Sequence, residues 1–263
     1  MPSLREVIRA LDTLAPTPLA EGWDNVGLLV GDENASISRA MTCLTVTEQT
    51  LAEAIEGQVE LILAHHPLPF QPLKRITTAT TTGKLLLTAI RAGIAIYSAH
   101  TAWDNAPPGI NRSLADLLQL QNPLPLALSS VPELAAQSLG SGRFGNLPHP
   151  MTVDEVMDRV FQSIPEIQPR ATHPGAHLVK RIGIVCGSGG SCLSMIAQRG
   201  CDAMLTGEAT YHQCLEAEAQ GIALMMIGHF ASERFGMQRL AQLMSTLVPE
   251  VEFHSSLREH SRF

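Results

Sequence analysis

This 263-residue chain lacks three features, and each absence argues against a class of function. It has no long run of Lys and Arg, and 18 basic against 25 acidic residues leave a formal net charge of −7. A general binder of phosphate backbones needs the opposite balance, so nucleic acid is not expected as the main partner. No apolar stretch approaches the roughly 20 residues needed to span a bilayer, so no membrane partner is expected. The opening "MPSLREVIRALDTLAP" carries charges every few residues and reads as an amphipathic helix, whereas a secretory signal has a basic start and an apolar block. There is no CxxC pair, and the five cysteines (Cys43, Cys186, Cys192, Cys201, Cys214) are odd in number. The expectation is a reduced, cytoplasmic protein whose cysteines serve as small apolar core residues.

What is present favours a large core. Apolar residues make up 45% and charged residues only 16%, the reverse of a disordered composition. The length suits one large domain or two small ones at ~150 residues each. From residue 40 short apolar runs alternate with helical periodicity. Strands are expected at 40–46, 60–66 and 94–100, with helices at 48–57, 83–93 and 110–120 between and after them. After a Pro-, Ser- and Gly-rich stretch at 121–150, read as a junction, strands at 181–187, 201–208 and 222–229 alternate with helices at 191–200, 211–221 and 233–247. The letters repeat as well: "EAIEGQVELILAHH" lies over "MIAQRGCDAMLTGE", and "GIAIYSAH" over "GIALMMIGH". The expected fold is α/β, with two related halves of mainly parallel βαβ units at 1–125 and 126–263.

In parallel α/β sheets binding groups gather beyond the carboxyl ends of the strands. Four expected strand ends carry polar residues here: His65 and His66, His100 with Asp104, Glu208, and His229 with Glu233. One such histidine is commonly a packed or surface residue. Four related strand ends point to a shared site. His65 and His66 would face opposite ways in a regular strand, so sharing a centre requires the strand to have ended, and Pro67 favours an extended, non-helical lead-in. His229 and Glu233, four apart, share a face if the backbone there is helical. The loop "GSGGS" (187–191) has two readings, a phosphate cradle or a tight glycine turn, and it lacks the Lys-Ser/Thr ending of a P-loop. Asp24 and Asn25 would shape a cleft rim or cap a turn.

The segments "EGWDNVGLLVG", "LILAHHPLPF", "YSAHTAWDNAPPGIN", "DAMLTGEATYHQ" and "GHFASERFG" resemble the NIF-three-like family of dinuclear-metal proteins, whose members are often labelled GTP cyclohydrolase type 2 homologues. The resemblance runs from the first helix to about residue 240, in the same order, and is to the short form without a central insertion domain. It implies metal ligands at His65, His66, Asp104, His229 and Glu233. His100, Glu208 and His212 are then candidates for acid/base work or for orienting the ligands. Trp103 departs from the smaller aliphatic residue usual in relatives, which bears on the shape of the pocket wall.

The implied cofactor is two divalent ions per chain, and imidazole with carboxylate suits zinc, iron, manganese, cobalt or nickel. Two carboxylates against four positive charges leave an excess that favours a small anionic or phosphorylated ligand. A metal pair can activate a water and polarise the bond it attacks. The expected function is therefore a metal-dependent hydrolase of a nucleotide or other phosphorylated small molecule, including GTP cyclohydrolase-type activity by the family label. The alternative is a non-catalytic metal-binding regulator, chaperone or scaffold. The resemblance also implies a homohexamer.

Overall fold

The structure is a computed structural model, and it describes residues 1–173 and 177–261. The chain forms two compact units, Met1–Trp103 with Gly236–His260, and Asp104–Phe235 with Ser261. This differs from a division at residue 125. The chain returns to its first unit because strand Glu252–Ser255 pairs in parallel with strand Arg39–Cys43.

The first unit is built on a five-stranded sheet in the order Gly27–Val30, Ala95–Ser98, Leu61–Ala64, Arg39–Cys43, Glu252–Ser255. Every neighbour pair is parallel except Gly27–Val30 with Ala95–Ser98. Leu61–Ala64 and Ala95–Ser98 are buried at every residue, as expected for parallel strands covered on both faces. Met41, Cys43, Leu51, Ile62, Leu85 and Ile96 form part of one apolar cluster between this sheet and its helices. Helix Glu48–Glu56 starts at a Thr47 capping box, and helix Thr81–Ala92 ends at Gly93 in the left-handed region, φ 69°.

The second unit carries a six-stranded mixed sheet in the order Gln121–Leu124, Arg143–Thr152, Leu178–Val185, Ala203–Thr206, Ala223–Met226, Arg170–Ala171. Its three strands Leu178–Val185, Ala203–Thr206 and Ala223–Met226 are mutually parallel, while the others add antiparallel. Phe144, Leu193, Ile196, Met204 and Leu224 belong to its apolar cluster.

The strands and helices expected after residue 40 are found within a few residues, with helix His229–Leu247 starting four residues early. The stretch 121–150 is not a junction. It holds strand Gln121–Leu124, a two-stranded pair at Ala127–Leu128 and Gly140–Ser141, and most of strand Arg143–Thr152. Pro148 and Pro150 hide that long strand from a sequence pattern. They fall where the register jumps from the Arg181↔Asn146 pair to Val179↔Met151, so their missing N–H groups cost no ladder bond. Among the described residues no helix is long and apolar enough to cross a membrane.

The tail is tied down. The Glu53 carboxylate accepts from Ser256 Oγ (2.5 Å) and the Leu257 amide (2.8 Å), and Glu259 Oε1 accepts from the Leu44 and Thr45 amides at 2.6 and 3.0 Å. Those amides close the end of strand Arg39–Cys43. Glu259→Ala removes their acceptor, so it should cost about 1–3 kcal/mol and lower the melting temperature by several degrees. Differential scanning calorimetry checks this, and an unchanged transition would show that the tail does not hold the strand end.

Candidate metal centre

Strands Leu61–Ala64 and Ala95–Ser98 run side by side and parallel, with Ala64 opposite Ser98. Residues leaving their carboxyl ends therefore emerge together. The first strand ends at Ala64, so His65 and His66 are free of strand alternation, and their rings lie 5.2 Å apart. His100 lies 5.1 Å from His65 and 5.6 Å from His66, and one ring nitrogen of each histidine falls within 4.8 Å of the others.

Hydrogen bonds fix this cluster. Ser98 Oγ donates to the His65 carbonyl (2.5 Å), and Thr45 Oγ1 lies 2.8 Å from His66 Nδ1. His100 Nδ1 meets Asp24 Oδ1 at 2.7 Å, and Asp24 Oδ2 accepts from the Thr101 amide (3.1 Å) and hydroxyl. The Asp24 side chain is 0% exposed. Burial works to raise its pKa, but the His100 and Thr101 hydrogen bonds outweigh it and hold the carboxyl below its ordinary value. His100 itself has a left-handed backbone, φ 31°, which a residue with a Cβ adopts only where its surroundings hold it there. With Nδ1 engaged, His66 and His100 each present Nε2.

In the second unit the parallel strands end at Val185, Thr206 and Met226, and Cys186, Glu208 and His229 follow within three residues. Helix His229–Leu247 begins on the histidine itself, so His229 and Glu233 share a helical face, and Nε2 lies 3.1 Å from Glu233 Oε2. Glu208 Oε1 accepts from Ser188 Oγ and meets His229 Nδ1 at 3.0 Å. The Glu233 hydrogen bond, opposed by burial and reinforced by the Glu233 and Glu208 charges, pushes His229 up to about 9. Asp104 and Glu233 present carboxylate oxygens within 4.8 Å of each other. Asp104 Oδ1 accepts from the Cys186 thiol at 3.1 Å. The helix end after Asp104 is held by buried Arg143, whose guanidinium donates to the carbonyls of Asn105 (2.8 Å) and Ala106 (3.3 Å).

The expected ligands and His100 thus fall into two sets, His65, His66 and His100 in one unit and Asp104, His229 and Glu233 in the other. Glu208 sits against His229. His212 is exposed on the first turn of helix Tyr211–Ala219, with its ring 5.9 Å from Tyr211. Trp103 is no pocket wall: it is fully buried and its indole N–H donates to the Gly236 carbonyl. Cys43 and Cys201 are buried apolar residues as expected, whereas Cys186 touches Asp104. The glycine loop is a tight turn. Gly187 N–H donates to Ser232 Oγ and Gly189 N–H to Thr206 Oγ1, and the helix after it, Leu193–Gln198, has only six residues. A Cβ at Gly187 would overlap Glu233 Oε1. Sequence patterns gave Asp24 only as a rim or turn residue and missed Thr45, Ser188 and Arg143 as supports, because each comes from a segment without metal-ligand spacing.

This donor chemistry fits divalent transition ions. One set offers three imidazoles, two of them oriented by hydrogen bonds through Nδ1, and the other offers two carboxylates and an imidazole. No thiolate competes. Burial, together with the Asp104 and Glu233 charges, raises the Cys186 pKa well above the ordinary thiol value, so it stays a donor. The three-histidine cluster is consistent with metal binding, and in the second unit Glu233 has Asp104 and His229 each beside it.

Residues 2–260 match the family model Duf34/NIF3 (NGG1p interacting factor 3). The chain is 36% identical over 230 residues to a GTP cyclohydrolase 1 type 2 homolog of Clostridium perfringens, covering 88% of this chain and 86% of that one. It is 31% identical over 235 residues to the GTP cyclohydrolase 1 type 2 of Helicobacter pylori J99, covering 89% and 88%. In fold it matches the crystal structure of a Bacillus cereus protein related to NIF3, with a TM-score of 0.88 at 23% identity over 100% of this chain and 98% of that one.

Two substitutions probe the supports. Asp24→Asn removes the charge behind His100 and should weaken metal binding about 10–100-fold, read by cobalt(II) titration. Gly187→Ala should lower metal content by displacing Glu233. Gly200→Ala is its control, because Gly200 has a similar φ of 66° with open space around it. Equal metal content in both alanine variants would sink the Glu233 argument.

Proposed function

The chain belongs to the Duf34/NIF3 family, and on that premise we propose a metal-dependent hydrolase acting on a nucleotide or another phosphorylated small molecule, with GTP cyclohydrolase-type activity as its specific form. His65, His66, Asp104, His229 and Glu233 would hold two divalent ions drawn from zinc, iron, manganese, cobalt and nickel. When bound, the ions would supply Lewis-acid polarisation of the substrate and a lowered pKa for the attacking water. The observation that carries the reading is the three-histidine cluster, in which His66 and His100 are oriented through Nδ1.

The chain's own groups have distinct tasks. Asp24 holds the Nδ1 side of His100, so His100 Nε2 is the atom that takes or gives a proton. Glu208 engages His229 Nδ1, so an ion would take the Nε2 side, which faces Glu233 Oε2. His212, exposed on the first turn of its helix, would serve as the outer acid/base group. Excess positive charge favours an anionic ligand, and the family resemblance supports a homohexamer.

Asp104→Asn and His212→Gln separate ligand from acid/base roles. Asp104→Asn should lose both metal and turnover. His212→Gln should keep its metal and lose turnover by about 10²–10⁴-fold. Elemental analysis with formate and phosphate release over a nucleotide panel reads both. If wild-type protein loaded with each of the five metals releases nothing from any nucleotide, the hydrolase reading is abandoned for a binding protein.

A further inference from the structure

Aromatic residues are only 4% of the chain, and two of them stand exposed beside the histidine cluster of the first unit. Trp23 is 63% exposed and Phe70 46%. Their ring centroids are 6.1 Å apart with planes tilted by 60°, so neither ring covers the other face to face. Both contact His100, Trp23 at 6.0 Å and 78°, Phe70 at 6.4 Å and 88°. His100 in turn adjoins His65 and His66. The ring contacts run unbroken from two exposed aromatics to the three imidazoles.

The exposure is not that of a loose loop. Asp24, next to Trp23, is fixed to His100 and Thr101, and Asn25 Nδ2 donates to the Pro69 carbonyl (2.7 Å), tying the Trp23 segment to that of Phe70. The Glu21 amide donates to Thr101 Oγ1 at 3.0 Å. The fold therefore holds an indole in solvent on a backbone anchored at both sides, a large apolar surface kept out of the core. A patch of two rings, each burying about 150–250 Å² at most, falls well short of the ~800 Å² per partner of a stable protein interface, but it matches one planar ring.

We propose that Trp23 and Phe70 form a stacking platform for the heteroaromatic ring of a nucleobase-bearing ligand whose reacting part lies at the imidazole cluster. This rests on the nucleotide reading above and names the residues that read the base. Stacking on an aromatic side chain tolerates base identity, because every base offers a π face. The platform thus selects ring over no ring and leaves discrimination among bases to other contacts.

The test exploits the two tryptophans. Trp103 is fully buried, so quenching by a ligand reports on Trp23. In metal-loaded wild type, guanosine 5′-monophosphate should quench the emission and bind about tenfold or more tighter than ribose 5-phosphate, which lacks the ring. Trp23→Ala should erase that preference without weakening ribose 5-phosphate, and Trp23→Phe should restore most of it. Equal binding of the two ligands by wild type, equal weakening of both by Trp23→Ala, or no binding of either overturns the platform. So does a loss of assembled mass in Trp23→Ala by sedimentation velocity, which would assign the rings to a protein interface. Nucleotide turnover with an unchanged ring preference in Trp23→Ala removes the platform and leaves the hydrolase. Ring-dependent binding without turnover does the reverse.

Discussion

The site depends on parallel strands that are paired in register and buried on both faces. Where such a strand is covered on both faces an unpaired charge is costly, so charged side chains gather toward its ends. In the first unit Ala64 and Ser98 are register partners, and the histidines follow within two residues on each strand. In the second unit Val185, Thr206 and Met226 line up in the same way across three strands. Reversing one strand would send its terminal residues to the opposite edge of the sheet. The shared direction, more than any individual contact, is what gathers polar residues at one edge of each sheet.

Gathering is not orienting, and a second layer of polar contacts does that. Thr45, Asp24 and Glu208 each engage an Nδ1 atom, while Ser98 holds the His65 carbonyl. The two donor sets differ in charge. In the second set Glu233 and Glu208 flank His229 and raise its pKa to about 9, so an entering cation would compete with a proton there.

Much of this was legible in the letters, and the limits have physical causes. Apolar runs bounded by glycine located the parallel strands, and the histidines and acids at their ends marked the candidate ligands. The long strand Arg143–Thr152 was not legible, because its prolines signal a break while the sheet accommodates them in an unpaired stretch. The division of the chain was not legible either, since a four-residue strand at Glu252–Ser255 draws the C-terminal segment back to the first sheet. Nor does the pattern "GSGGS" distinguish an anion cradle from a turn. Only the engagement of Gly187 N–H and Gly189 N–H by Ser232 and Thr206 decides that.

The sharpest limit lies in three letters that occur twice. Trp23-Asp24-Asn25 and Trp103-Asp104-Asn105 are the same tripeptide, and the fold uses them in opposite ways. In the second copy the indole is fully buried with its N–H on the Gly236 carbonyl, while the aspartate accepts from Cys186. In the first copy the aspartate is buried against His100 and Thr101, and the indole is left outside. The difference is one of backbone. Trp103 lies on helix His100–Asn105, whereas Trp23 lies in a loop tied to Thr101 and Pro69. A core built almost wholly from aliphatic side chains has taken one tryptophan and excluded the other, although both are followed by Asp-Asn. Local sequence therefore cannot account for the exposure of Trp23. The anchored loop does, and an anchor that keeps an indole in water beside three imidazoles is hard to explain by packing alone.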